Sequence, residues 1–402
     1  MTRSGSKGMA RIIDKSEPTS YQIRIKKYKR NIGIIISVAV VIIAIIVVYM
    51  VNCFVNRYYN TYKVVSTIPR TDSNTVKYES YGNKLLKFSR DGASAINQDG
   101  KAVWNGSYEM KNPSADICGK YVAIADIGGK EVYVFNGSDS GTKIEVLLPI
   151  VEVEVAKQGV VALVLQDKDS NKISIFDPYD NQKLLVDRQT IAKKDGFPVD
   201  ISLSNDGSKL VTSYLAVTSG VVESNVTFYN LGEIGENEVD SMVGAQKFGK
   251  TMIPKVEFVN NNTVCVFGDD KFTLYSMKQK QKEIFTETFK SDIKSIFYNS
   301  KYVGFVMEKT AETEKNEVVV YNLQGKKTFA KLIDFEYDNV RLSKEEIIFS
   351  SDLECNIIRL NGKQKLHCTF DKNISYVMPI NNYDLYYIID DANIEKIKVV
   401  KE

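Results

Sequence analysis

A short apolar strand ending in Asn, Asp or Ser recurs down this chain, and that recurrence limits the fold more than any other feature. It reads Ala95-Ile96-Asn97, Val134-Phe135-Asn136, Ile175-Phe176-Asp177, Phe228-Tyr229-Asn230, Leu274-Tyr275-Ser276, Val320-Tyr321-Asn322 and Arg359-Leu360-Asn361. Successive copies lie 39, 41, 53, 46, 46 and 39 residues apart. A polar turn, usually with Gly, follows, and then another short strand, as in Gly100-Lys101-Ala102-Val103-Trp104 and Gly325-Lys326-Lys327-Thr328-Phe329. Before most copies stands a more continuous apolar strand: Tyr121 to Ala125, Val160 to Leu165, Leu210 to Tyr214, Val264 to Phe267, Tyr302 to Val306 and Ile347 to Phe349, with Leu385 to Ile389 as a final copy. Unbroken apolar strands are buried on both faces, whereas strands with an alternating polar face lie nearer solvent. One buried strand, one half-exposed strand and a hairpin every 40–50 residues is the pattern of one four-stranded propeller blade, because stacked blades cover both faces of their inner strands.

The turns agree. Asp91-Gly92, Asp99-Gly100, Asn136-Gly137, Asp206-Gly207 and Asn361-Gly362 supply the positive φ of tight hairpins. No helical periodicity of useful length follows residue 60; Gln189 to Lys194 has room for one turn. The expected class is all-β, an eight-bladed propeller over residues 75–402, with seven blades as the alternative. The blades are expected at about 75–105, 113–147, 151–186, 198–246, 253–286, 293–333, 337–370 and 376–400. The last shows three strands. Its fourth is expected at Lys63 to Ile68, within a 55–74 linker, which would remove the open sheet edge and tie the ends of the ring together.

Ile32 to Val51 is a run of twenty residues without a charge. As a helix it covers about 30 Å, the hydrocarbon thickness of a bilayer. It is longer than a signal-peptide core, and no Ala-x-Ala-like cleavage site follows it. Tyr49, Tyr58 and Tyr59 suit an interfacial aromatic belt. A basic cytoplasmic tail at 1–31 and one transmembrane helix at 32–54 are therefore expected. Arg24, Lys26, Lys27, Lys29 and Arg30 precede the span and only Arg57 closely follows it. That asymmetry predicts an uncleaved signal anchor, with a cytoplasmic N-terminus and the propeller outside the cell membrane. Residues 1–30 hold nine Lys/Arg against Asp14 and Glu17, so with a net charge of +3 the remainder carries −4. An acidic outer part argues against nucleic acid as a partner.

The repeat resembles known propellers in its motifs. Asn97-Gln98-Asp99-Gly100-Lys101-Ala102-Val103-Trp104 resembles the Asp-x-x-Gly-x-x-x-Trp signature of quinoprotein repeats, and Ser204-Asn205-Asp206-Gly207-Ser208-Lys209-Leu210 resembles the Ser-Pro-Asp-Gly-Lys turn of WD40-like propellers. The whole plan is similar to a family of single-pass, membrane-anchored propellers of Firmicutes whose function is undefined. Trp104 is the only tryptophan, so the Trp-docking that marks quinoproteins is missing from every other blade, and no cofactor is expected.

Few residues point to chemistry. A single histidine, His367, excludes a zinc site built on several histidines and a Ser-His-Asp triad elsewhere. Cys355 and Cys368 lie equidistant from a two-residue turn at Asn361-Gly362 and are expected to face each other across a hairpin, where a disulfide can form outside the cell; two buried thiols are the alternative. His367 then points to the opposite face. Cys118 and Cys265 are expected in the core. Asp167-Lys168-Asp169-Ser170-Asn171 opens like a calcium loop, but Lys172 and Pro178 occupy the positions where an EF-hand has Gly and Glu, so a solvated turn is expected. Longer excursions fall at Val217 to Asn225, Leu231 to Asp240 and Glu308 to Asn316, where a rigid ring carries binding surfaces. No catalytic, cofactor or metal residues are assigned. The expected role is a membrane-tethered extracytoplasmic scaffold or sensor with an envelope protein as partner. The alternatives are a polysaccharide-active hydrolase or lyase using carboxylates at the propeller's mouth, and a small-ligand binder.

Overall fold

The computed structural model describes residues 20–70, 75–137, 141–218, 220–308, 314–380 and 383–401. Two compact units divide at Arg57/Tyr58. The first is a helix, Ser20–Val55, whose residues are all exposed. It is long and apolar enough to cross a membrane. It starts well before the apolar run, because Gln, Arg and Lys in 20–31 are good helix formers and no Pro or Gly interrupts them. At its end the Asn52 carbonyl accepts both the Asn56 N–H, at 3.1 Å, and Asn56 Nδ2, at 2.8 Å. Residues 1–19 of the basic tail and 309–313 of the third excursion lie outside the described residues.

The second unit is eight four-stranded antiparallel sheets. Blade 1 runs from Lys77–Tyr81 through Lys84–Phe88 and Gly92–Ile96 to Ala102–Ser107. Blades 2 to 7 repeat this order, with first strands at Pro113–Cys118, Ile150–Val155, Phe197–Leu203, Lys255–Asn260, Ile293–Tyr298 and Asn339–Ser343. Blade 8 is composite. Ile374–Pro379, Leu385–Asp390 and Asn393–Val400 are completed by Thr61–Pro69, which pairs antiparallel with the last of them from Thr61↔Val400 to Pro69↔Asn393.

The recurring sequence unit is the third strand of a blade, and its closing Asn or Asp builds the turn to the fourth. Asn97 Oδ1 accepts the N–H groups of Asp99 and Lys101, Asn322 Oδ1 those of Gln324 and Lys326, and Asp177 Oδ1 those of Tyr179 and Asp180. These are Asx turns. Gly325 completes one of them at φ 80°, in the left-handed region, and the Phe285 ring occupies the space where a Cβ would stand.

The core is divided between the blades. Eight apolar clusters lie each between two neighbouring sheets; one joins Leu86 and Trp104 of blade 1 to Val122 and Phe135 of blade 2. Trp104 stacks on Phe135 with centroids 4.6 Å apart. The closing cluster joins Tyr78 and Leu85 of blade 1 to Tyr376, Met378 and Ile389 of blade 8, with Ile68 packed against it. Removing residues 1–57 should leave a ring that unfolds in one cooperative step. Removing residues 1–69 should lower its melting temperature by about 10 °C or more, or cause aggregation, because both faces and an edge of blade 8 lose partners. Calorimetry on the two truncations checks this; equal melting would show that Thr61–Pro69 does not close the ring.

Candidate functional site: a charged axis

The first strand of each blade is a sheet edge, and its sequence alternates. In Ile150–Val155 the order is Ile-Val-Glu-Val-Glu-Val; Val153 and Val155 join the core, while Glu152 and Glu154 belong to the opposite, polar face. The same face of neighbouring first strands carries Lys77 and Glu79, Asp116, Asp200 and Ser202, Lys255 and Glu257, Ser295, and Arg341.

These side chains link blade to blade. Lys77 Nζ donates to the Pro113 carbonyl at 3.2 Å. Val155 N–H donates to Asp116 Oδ2 at 2.6 Å, and Leu203 N–H to Glu154 Oε2 at 3.3 Å. Val256 N–H donates to Asp200 Oδ2 at 2.7 Å and Phe258 N–H to Ser202 Oγ at 3.0 Å. Tyr298 OH donates to Glu257 Oε2 at 2.8 Å. Ser295 Oγ and Tyr337 OH are 2.9 Å apart, and the Arg341 guanidinium lies 3.8 Å from the Tyr376 ring centroid. Backbone donors that the edge strands would leave unpaired thus find acceptors on the preceding blade.

Crowding these carboxyls out of water changes their acidity. Burial raises Asp116 to about 7, opposed by the Val155 N–H and reinforced by Glu257. Burial and the Asp200 charge raise Glu152 to about 7, and burial raises Asp200 to about 6. Glu154 is pushed well above the carboxylate range by burial, Asp116 and Glu257. Lys255 stands 3.4 Å from Glu257 and 4.0 Å from Asp200. Burial pulls its ammonium down, but Tyr298, Glu257, Asp200 and Glu154 outweigh that and hold it charged. Across the axis a cavity of about 970 Å³ is lined by Glu79, Ile117, Tyr298, Arg341 and Tyr376 from five blades. The arrangement can hold and exchange protons near neutrality.

The residues singled out from sequence lie elsewhere. Cys355 and Cys368 are register partners in blade 7, and both are buried. Burial pushes the Cys368 thiol up to about 12 and raises Cys355 as well. The turn between them is not the expected two-residue type. Gly362 N–H donates to the Arg359 carbonyl, Gly362 has φ 86°, and a bulge follows between Leu366 and Gln364, restoring the register at the cysteines. His367 points away from Cys368, half exposed, with Nε2 2.9 Å from Glu354. Cys118 and Cys265 are buried. Asp167 closes a tight exposed turn onto Ser170 and accepts the Lys168 N–H. Among the described residues no three His, Cys, Asp or Glu side chains are placed to share a metal ion. The axial residues were not singled out from the sequence, although Glu152-Val153-Glu154 inside an apolar strand was the available signal.

The family match covers residues 55–399, the whole ring. The chain belongs to a family of unknown function, DUF5711. No curated protein matches it in sequence. Among solved structures the ring is similar to BamB from Moraxella catarrhalis, with 12% identity, a TM-score of 0.52, and coverage of 84% of this chain and 100% of that one. It is also similar to Sqt1 of Saccharomyces cerevisiae, with 11% identity, a TM-score of 0.54, and coverage of 86% and 100%. These likenesses concern the fold of the DUF5711 ring alone.

A carboxyl whose folded pKa exceeds its unfolded value keeps a proton that the unfolded chain has already released. Stability therefore falls as pH rises from about 4 to about 7 through Asp116, Glu152 and Asp200. Asp116→Asn keeps an acceptor for Val155 and removes one titration. Its melting temperature should fall less than that of the unaltered protein between about pH 5 and pH 8. An unchanged difference in a calorimetric pH series would show that Asp116 is not held protonated.

Proposed function

We propose that this DUF5711 protein is a membrane-tethered extracytoplasmic scaffold or sensor, its propeller presented outside the cell to an envelope protein. The observation that carries the reading is the pairing of one exposed helix of membrane-spanning length with a closed eight-bladed ring. The basic residues Arg24 to Arg30 lie in the helix's first turns, before the apolar run, and this sidedness leaves the ring outside. The axial carboxylates support a binding rather than catalytic use, since Asp116, Glu154, Asp200 and Glu257 each hold a neighbouring blade. Protease added to intact cells should remove the ring and spare the N-terminal tail, and crosslinking before solubilisation should trap it with a second envelope protein. A ring protected until the cells are broken, or one found only as an uncrosslinked monomer, would defeat the reading.

The same location bears on Cys355 and Cys368, which an oxidising exterior can close into a disulfide. The high thiol pKa values slow this, since the thiolate is the reactive form. Alkylation without reductant on membranes, followed by mass spectrometry, should recover the two cysteines as one linked peptide pair. Two alkylated thiols would assign them to the reduced core.

A further inference from the structure

The interval between third strands is longest, 53 residues, between blades 3 and 4, and the extra chain builds a chamber there. The fourth strand of blade 3 runs on as Lys183–Ile191 and turns into a short helix, Ala192–Asp195. The second and third strands of blade 4 lengthen to ten residues each, Lys209–Thr218 and Val221–Asn230. The excursion expected at Val217 to Asn225 is thus mostly a continuation of this hairpin. Between the two lies a cavity of about 570 Å³, lined by Arg188, Thr190, Tyr214, Asn225, Thr227 and Tyr229, with charged residues of the helix and neighbouring loops at its rim.

The inner part of this blade interface is apolar, with Ile173 and Ile175 facing Leu210. The outer part is polar and incompletely paired. Asn171, 3% exposed and the register partner of Thr190, has no partner for Nδ2. Arg188 Nε and Asn225 Oδ1 are likewise buried without partners. Tyr214 and Tyr229 share one hydroxyl contact of 3.3 Å, and the Arg188 guanidinium lies 5.4 Å from the Tyr229 centroid. Leaving a buried donor or acceptor unmade is costly. One such donor, Arg188 Nε, and one such acceptor, Asn225 Oδ1, belong to residues that line the cavity.

Charge selects the occupant. Asp240 already neutralises Arg188, at 2.9 Å from Nη1, and Asp195 Oδ2 accepts the Ile191 N–H at 2.9 Å. Lys194 and Asp195 stand at the rim, while the inner wall of Thr190, Tyr214, Asn225, Thr227 and Tyr229 is uncharged, so a charge carried to that wall would lose hydration with its counter-charges left at the mouth. A hydroxyl both donates and accepts, so it answers Asn225 Oδ1 as well as Arg188 Nε, both on residues that line the cavity. Tyr214 and Tyr229 complete the cavity wall beside these groups. We infer that the cleft between blades 3 and 4 is a binding site for a small uncharged polyhydroxylated molecule, a hexose-type sugar unit. The site is independent of the tether and of the scaffold reading.

Saturation-transfer NMR on the full-length protein in detergent micelles tests the site, with glucose and N-acetylglucosamine as neutral probes and glutamate as a charged one, each at about 10 mM to reach weak affinities. At least one sugar should receive magnetisation, and glutamate none. Asn225→Leu fills the cleft and removes its orphaned acceptor, and the signal should vanish. Thr227→Val, close to isosteric, should weaken binding about tenfold, the worth of one hydrogen bond, even should Asn225→Leu fail to fold. No transfer from either sugar, equal transfer in a folded variant, or preference for glutamate would overturn the assignment and leave the cleft as a water-filled joint.

Discussion

A sheet with two apolar faces can bury both only when it has a neighbour on each side, and a finite row of sheets always leaves two faces bare. The ring removes that condition. Each of the eight clusters is shared by two blades, so none belongs to a blade alone. The cluster joining Tyr78 and Leu85 to Tyr376 and Ile389 therefore decides whether the others are sealed. Pairing Thr61–Pro69 with Asn393–Val400 holds that joint, because separating blades 1 and 8 also requires breaking a ladder of eight residue pairs.

Closure solves the problem of faces and creates one of edges. The first strands meet around an axis where they do not pair with one another, and side chains supply what pairing would have. Carboxylates suit the task because one oxygen can take a backbone N–H while the other meets a different group. Their concentration is opposed by desolvation and mutual repulsion. Lys255 offsets the repulsion locally, and protonation offsets it elsewhere, as the raised values of Asp116 and Glu152 express. The polar centre is thus a consequence of joining the blades, not an addition to a finished ring.

Local chemistry made most of this fold legible. Second strands such as Val160 to Leu165 announce burial on both faces, and the third strands end in Asn97, Asp177 or Asn322 because an Asx turn needs that side chain. First strands are harder to find, since their axial face is polar: Lys255-Val256-Glu257 reads as an exposed strand until its neighbours are known. The turn at Asn361-Gly362 shows the same limit on a smaller scale. Its dipeptide announces a hairpin, but the bulge that follows recurs between the third and fourth strands of other blades and is a property of the blade, not of the dipeptide. The axial site and the cleft between blades 3 and 4 come from residues far apart in the chain, and spacing carries no information about which blade faces which.

The composite last blade also sets the order in which the molecule can be finished. Of the ring's described strands, Thr61–Pro69 is made first and its partner Asn393–Val400 last, more than three hundred residues later. No shorter length of chain can seal the ring, so its closure awaits the synthesis of Asn393–Val400. A chain clipped within Asn393–Val400 carries two bare strand edges that invite other chains to pair. The joint therefore distinguishes whole copies from shortened ones and exposes the shortened ones to proteolysis and removal.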